Sequence, residues 1–112
     1  MTRPRLKLGG TVTQATSKST TVQLDRMCGQ ITMNAASLAA ATSVSFTLTN
    51  AEIDADDLVV INIASGATTN SYAVTVDAVA AGSCRIQLRN VSAGALGEAL
   101  VINFGVIKVQ LS

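Results

Sequence analysis

Residues 43–50 read SVSFTLTN, with Val44, Phe46 and Leu48 alternating against Ser45, Thr47 and Thr49. Period two is the repeat of a strand with one buried face, and the Val-Phe-Leu row marks that face. Two later segments repeat the pattern. In SYAVTVDA (71–78) the inward row is Tyr72, Val74 and Val76; in SCRIQLRN (83–90) it is Cys84, Ile86 and Leu88, with Arg85, Gln87 and Arg89 opposite. Residues 11–15, 20–24 and 29–34 are less regular but strand-like, while 58–64 and 99–109 are apolar at nearly every position. Turn signals separate them at Gly9-Gly10, 50–57, Ser65-Gly66, 81–83, Asn90 and 94–97. About eight short strands at this spacing predict an all-β fold, an antiparallel β-sandwich or jelly roll. Residues 34–41, NAASLAAA, offer only Leu38 as a large apolar side chain, so a loop is expected there.

Composition fits that reading. A chain of 112 residues makes one domain, and at 48% hydrophobic it has enough apolar surface to fold. Charged residues are only 13%, so ten Ser and thirteen Thr must supply much of the wet surface. The absence of His excludes a His base, a His-activated nucleophile and a His-ligated metal within one chain. Three aromatics and a net charge of +1 argue against a nucleic-acid partner. No apolar stretch approaches the roughly 20 residues of a membrane-spanning helix, so no membrane partner is expected.

Charge is unevenly distributed. Residues 1–26 carry a net +4 and residues 27–112 a net −3. A basic arm, residues 1–10 with Arg3, Arg5 and Lys7, precedes a single domain over 11–112. Its start lacks the apolar stretch of a secretory signal, so export by that route is not expected. In the last strand Leu100, Ile102, Phe104 and Val106 point one way and Val101, Gly105, Ile107 and Val109 the other. Both faces call for cover, and a thin two-layer domain covers one. A neighbouring subunit is the simplest cover, so Leu100, Ile102, Phe104, Val106, Ile107 and Val109 are expected at a subunit interface, the alternative being a central strand covered on its outer side by a loop.

No residue is assigned to catalysis, cofactor or metal. Cys28 and Cys84 are expected as buried free thiols, with a bridge between them left open by the sequence. Glu52, Asp54, Asp56 and Asp57 lack the glycine and distal Glu of a calcium loop and are expected as a solvated turn. The same carboxylates suit a basic partner surface such as the arm of a neighbour. Asp25 and Asp77 are isolated, without the aromatics of a sugar-cleaving site.

The segments CGQITMN (28–34), VSFTLTNAEI (44–53), DLVVINIASG (57–66), YAVTVDAVAAGSCRIQLRNVSAG (72–94) and EALVINFGVIK (98–108) together resemble small virion surface proteins of tailed bacteriophages and prophages. These are the proteins that decorate capsids or form fibre heads, and the resemblance covers residues 10–109. It implies a β-sandwich, often a jelly roll, that forms homo-oligomers, commonly trimers, on the virion, and it carries over no active-site residue. A chain without a shaft fits a self-standing decoration or cement protein, assembled in the bacterial host cytoplasm and bound to the major capsid protein through Arg3, Arg5 and Lys7. The alternative is a fibre-head or tail module that recognises a host cell-surface glycan, for which loop 67–71 (ATTNS) is the natural candidate.

Overall fold

The computed structural model describes residues 9–109, so the basic side chains of the arm, at 3, 5 and 7, lie outside the described residues. Among the described residues there is no helix. Eight strands form two four-stranded sheets: β1 (Thr11–Thr13), β2 (Val22–Gln23), β3 (Cys28–Thr32), β4 (Ser43–Thr49), β5 (Leu58–Ser65), β6 (Tyr72–Ala80), β7 (Ser83–Asn90) and β8 (Val101–Ile107). The first sheet has the order β1-β3-β8-β5 and the second β2-β4-β7-β6. Residues 34–41 are a loop, tied by reciprocal backbone hydrogen bonds between Leu38 and Leu96 at 2.8 and 3.0 Å.

The expectation of wholly antiparallel sheets is corrected at two edges. β1 pairs parallel to β3 and β2 parallel to β4, making both sheets mixed. The reason lies in the crossovers. The chain passes from the first sheet to the second between β1 and β2, and makes the same passage between β3 and β4, so the second pass lies alongside the first in the same direction.

Alternation then decides what is inside. Ile31, Val59, Ile102, Phe104 and Val106 of the first sheet share one core with Val22, Phe46, Leu48, Cys84, Ile86 and Leu88 of the second. Each such side chain contributes about 1.5–3 kcal/mol by leaving water. Close packing also fixes a glycine. A Cβ on Gly29 would stand 2.7 Å from the Gly10 carbonyl oxygen and 2.8 Å from Leu24 Cδ2, so the chain passes over β3 only because that position is bare. At the β6–β7 turn Gly82 has φ 85° and open space around it, so the left-handed backbone is what demands glycine there.

Polar residues close the ends of the second sheet. Asn50, 1% exposed, donates to the Arg26 carbonyl at 2.7 Å and accepts from the backbone N–H of Arg26 and Glu52. Asn90, fully buried, donates to the Leu38 and Gly94 carbonyls and accepts from Ser92. No buried side-chain nitrogen or oxygen among the described residues lacks a partner. Each Asn binds backbone from two segments, so each joins loops that sequence distance would leave apart.

Phe104 lies 4% exposed at the centre of this core. Phe104→Ala is expected to cost about 3–5 kcal/mol through lost burial and the cavity left behind. Phe104→Asp is expected to abolish cooperative unfolding, because it buries an unpaired charge. Urea denaturation followed by circular dichroism checks both.

Candidate interaction surfaces

The outward faces of the two sheets differ in chemistry. On the second, Ser43, Ser45, Thr47 and Thr49 of β4 lie beside Arg89, Gln87, Arg85 and Ser83 of β7. Asp77 of β6 meets Arg85 through paired hydrogen bonds of 2.8 and 2.7 Å. That contact, led by the hydrogen bonds, holds the Asp77 carboxyl below its usual range and raises the Arg85 guanidinium. The face is a hydroxyl-rich, solvated ladder.

The outward face of the first sheet is apolar at one end. Val60 lies opposite Gly105 and Leu58 opposite Ile107. Leu58, Val60, Ile107 and Val109 are 50%, 46%, 49% and 39% exposed, four of the five large hydrophobic residues so exposed among those described. The other, Val91, follows β7. Across the middle of this face Gln30 donates to Asn103 at 2.9 Å, and Asn103 lies opposite Asn62. β5 is an edge strand, LVVINIAS, eight residues long and without a charge.

These placements sort the residues expected at an interface. Leu100, Ile102, Phe104 and Val106 are 0–7% exposed and belong to the subunit's own core. Period two sends them inward, leaving Val101, Asn103, Gly105 and Ile107 for whatever covers the sheet from outside. Of the six, Ile107 and Val109 are exposed. Leu58 and Val60 were not singled out by sequence. Their strand is apolar throughout, and only the register with β8 reveals which residues face out.

The acidic loop borders this patch. Lys108 extends its amine into the loop, donating to the Glu52 carbonyl at 2.9 Å, Asp54 Oδ2 at 2.8 Å and Asp57 Oδ2 at 2.5 Å. Asp57 also accepts from the backbone N–H of Asp54 at 2.8 Å, closing the turn, while Ile53 plugs the core at 1% exposure. Four carboxylates against one lysine leave the loop net negative. No group of three metal-ligating side chains converges among the described residues.

A second polar cluster fastens the crossover between β1 and β2. Lys18, 3% exposed, donates to the carbonyls of Asn34 and, at 2.7 Å, Glu98. Gln14 beside it donates to the Lys18 and Thr20 carbonyls. Burial pulls the Lys18 amine down from its usual value, and the nearby Glu98 carboxylate opposes that shift. Glu98 in turn accepts from Thr68 Oγ1, the Thr68 N–H and the Tyr72 hydroxyl, bonds that hold its carboxyl low. Burial, and then the Glu98 bond, push the Tyr72 phenol well up. Thr68, Thr69, Asn70 and Tyr72 also line an open depression of about 290 Å³ against Ile63 and Ser65. The two cysteines are free and lie in different sheets, with burial pushing the Cys84 thiol up to about 11.

In comparisons with known proteins, no family model, no curated protein and no solved structure matches this chain.

Lys108 sets a pH dependence. Its hydrogen bond to Asp57, together with the Asp54 N–H, lowers the Asp57 carboxyl pKa in the folded state. A carboxyl lowered on folding contributes stability that is whole above its unfolded value of about 4 and lost as pH falls through the folded value. Wild-type stability is therefore expected to drop below about pH 4. Lys108→Met is expected to shallow that acid limb, while Asp77 and Glu98, held low by other partners, retain part of it. Urea midpoints measured from pH 2 to 7 test this.

Proposed function

We propose that the chain is a non-enzymatic structural protein of a tailed-phage virion, a capsid decoration or cement protein. It binds the outer surface of the shell and associates there with further copies, a trimer being favoured. The observation that carries this reading is the contrast between the two outward faces. The apolar strip of Leu58, Val60, Ile107 and Val109 suits burial against protein, while the Ser/Thr ladder of β4 suits water. The five resembling segments support the same reading, because they include β5 and β8, the strands that bear the strip.

The body is read as a jelly-roll sandwich. β3 pairs with β8 and β4 with β7, a nested order in which early strands meet late ones. Winding one long hairpin over both sheets gives that nesting. Greek-key windings of this kind place edges and loops at the rim, where capsomers can be bridged. Function then follows by mass action: a protein that binds only the mature shell stabilises it by the free energy of binding. Arg3, Arg5 and Lys7 are assigned to the major capsid protein.

A glycan-binding reading has one observation in its favour, the depression beside Tyr72 lined by Thr68, Thr69 and Asn70. It has only a single aromatic to stack on a sugar.

Co-sedimentation with shells built from the major capsid protein of the same genome tests the proposal. Saturable binding in multiples of three, with shells that survive heating to a higher temperature, is the expected result. Val60→Asp with Ile107→Asp, both at exposed positions, is expected to keep the fold and weaken binding at least tenfold. Shells that leave the protein in the supernatant, together with binding to a host glycan, would overturn the decoration reading.

A further inference from the structure

The sandwich has two side walls, because β5 packs against β6 on one side and β1 against β2 on the other. The β1/β2 wall is short, and the crossover fastened by Gln14 and Lys18 closes it. Along the β5/β6 wall the core is open. Inward-pointing Ile61 and Ile63 of β5, and Val74 and Val76 of β6, are only partly buried, whereas Ile102 and Phe104 of β8 and Ile86 and Leu88 of β7 are 0–4% exposed.

Whatever covers this wall must also satisfy backbone. An edge strand presents a row of N–H and C=O groups, which an apolar cover would bury unpaired and a second strand would pair. Of the two edges, only β5 suits such a partner. β6 carries Asp77 and a register shift between Asp77 and Ala80, where Ala78 takes a left-handed φ of 51°, features that turn a strand edge aside. β5 is uncharged and pairs regularly from Leu58 to Ile63.

A second copy of β5 fits that stretch by symmetry. Antiparallel pairing about a two-fold axis normal to the sheet must set inward residues opposite inward ones. With Val60 opposite its own counterpart, Leu58 meets Asn62 and Val59 meets Ile61, so both faces match and the pairing stops before the register shift at Ile63 and Ser65. No charge enters the ladder. The two acidic loops then lie past opposite ends of it, about 20 Å apart at Asp57, well beyond the roughly 8 Å over which charges act in physiological salt. A parallel pair would set them side by side. The wall is about 26 Å long and about 20 Å deep, giving about 500 Å² on each copy against about 800 Å² for a stable complex, so the pair is a weak one that concentration drives.

We propose that two copies of the chain pair through antiparallel β5 edges about a two-fold axis at Val60, joining their first sheets into one eight-stranded sheet. The inference goes beyond the function proposed above and holds for the free chain. In the pair the exposed side chains of Leu58 and Val60 adjoin those of the second copy across the axis, doubling the apolar patch that a shell could cover. Three pairs around a three-fold site would meet the multiple of three expected there.

Sedimentation velocity of the full-length chain at roughly 10 µM to 1 mM tests this, and a dimer fraction that rises with concentration is expected. Val60→Lys, which sets like charges opposite each other at an exposed position, is expected to cut that fraction several-fold and leave the urea midpoint unchanged. Under mild oxidation Val60→Cys is expected to give a covalent dimer linked through position 60, since opposing Cα atoms about 4.5–5.5 Å apart lie within disulfide reach. Thr13→Cys, exposed on the opposite edge, is expected to give none. A chain that stays monomeric throughout, or dimers that survive Val60→Lys and do not link through position 60, would overturn the inference. Shell binding is a separate readout: pairs that form on a protein that ignores shells overturn the function alone, and shells bound by a chain that never pairs overturn the inference alone.

Discussion

Each sheet depends on one late strand. β8 pairs with both β3 and β5, and β7 with both β4 and β6, so the third strand from one edge is the hub in each case. The parity of those two hubs governs everything else. Ile102, Phe104 and Val106 on β8 meet Cys84, Ile86 and Leu88 on β7 in one core, and a one-residue slip of either strand would turn its apolar row to water. The hubs also join residues far apart in sequence: Cys28 pairs with Gly105, and Ser43 with Arg89. Such pairings form only after the chain has closed long loops, which makes folding slow and leaves early strands without partners for a time.

Polar groups stabilise the architecture where the hubs cannot reach. The crossovers at 14–21 and 33–42 lie outside both ladders, and side chains supply part of their backbone hydrogen bonding. Gln14 donates to the Lys18 and Thr20 carbonyls, Lys18 to the Asn34 carbonyl and Asn90 to the Leu38 carbonyl, while Asn50 does the same for the Arg26 carbonyl before β3. A buried Lys amine is costly alone, yet here it is bonded to two carbonyls and lies near the Glu98 carboxylate, which offsets part of its desolvation. This division explains how a domain with 13% charged residues can hold loops against a thin core. Amides and hydroxyls do locally what ion pairs do in more charged proteins.

Much of the fold was legible in period two. SVSFTLTN and SCRIQLRN became β4 and β7 with the inward rows that alternation gives. The short strands were legible only as approximate segments, and their parallel pairing was not legible at all, because direction is set by a crossover and leaves no mark on alternation. For the candidate site, 99–109 is apolar on both parities, and the sequence could not say which row the core takes: Leu100, Ile102, Phe104 and Val106 are buried, while Ile107 and Val109 stay exposed. Leu58 and Val60 were hidden for the same reason, since in LVVINIAS apolar residues occupy both parities and only the partner's register breaks the tie. Lys18 carried no signal, as its carbonyl partners come from residues 34 and 98.

The two edges of the first sheet face different problems. β1 is three residues long and exposes Thr11 and Thr13, so it offers a visiting strand little to pair with. β5 has eight residues, no charge, no proline and two large apolar side chains turned outward. Edge strands of that description draw in other chains unless something covers them. The partial defence visible in the fold is a register shift near Ile63 and Ser65, which disturbs one end of the edge and leaves the Leu58–Val60 end regular. The regular end is also the end beside the acidic loop. The four carboxylates, of which Lys108 bonds Asp54 and Asp57, thus set a net negative loop beside the most exposed apolar residues of this edge.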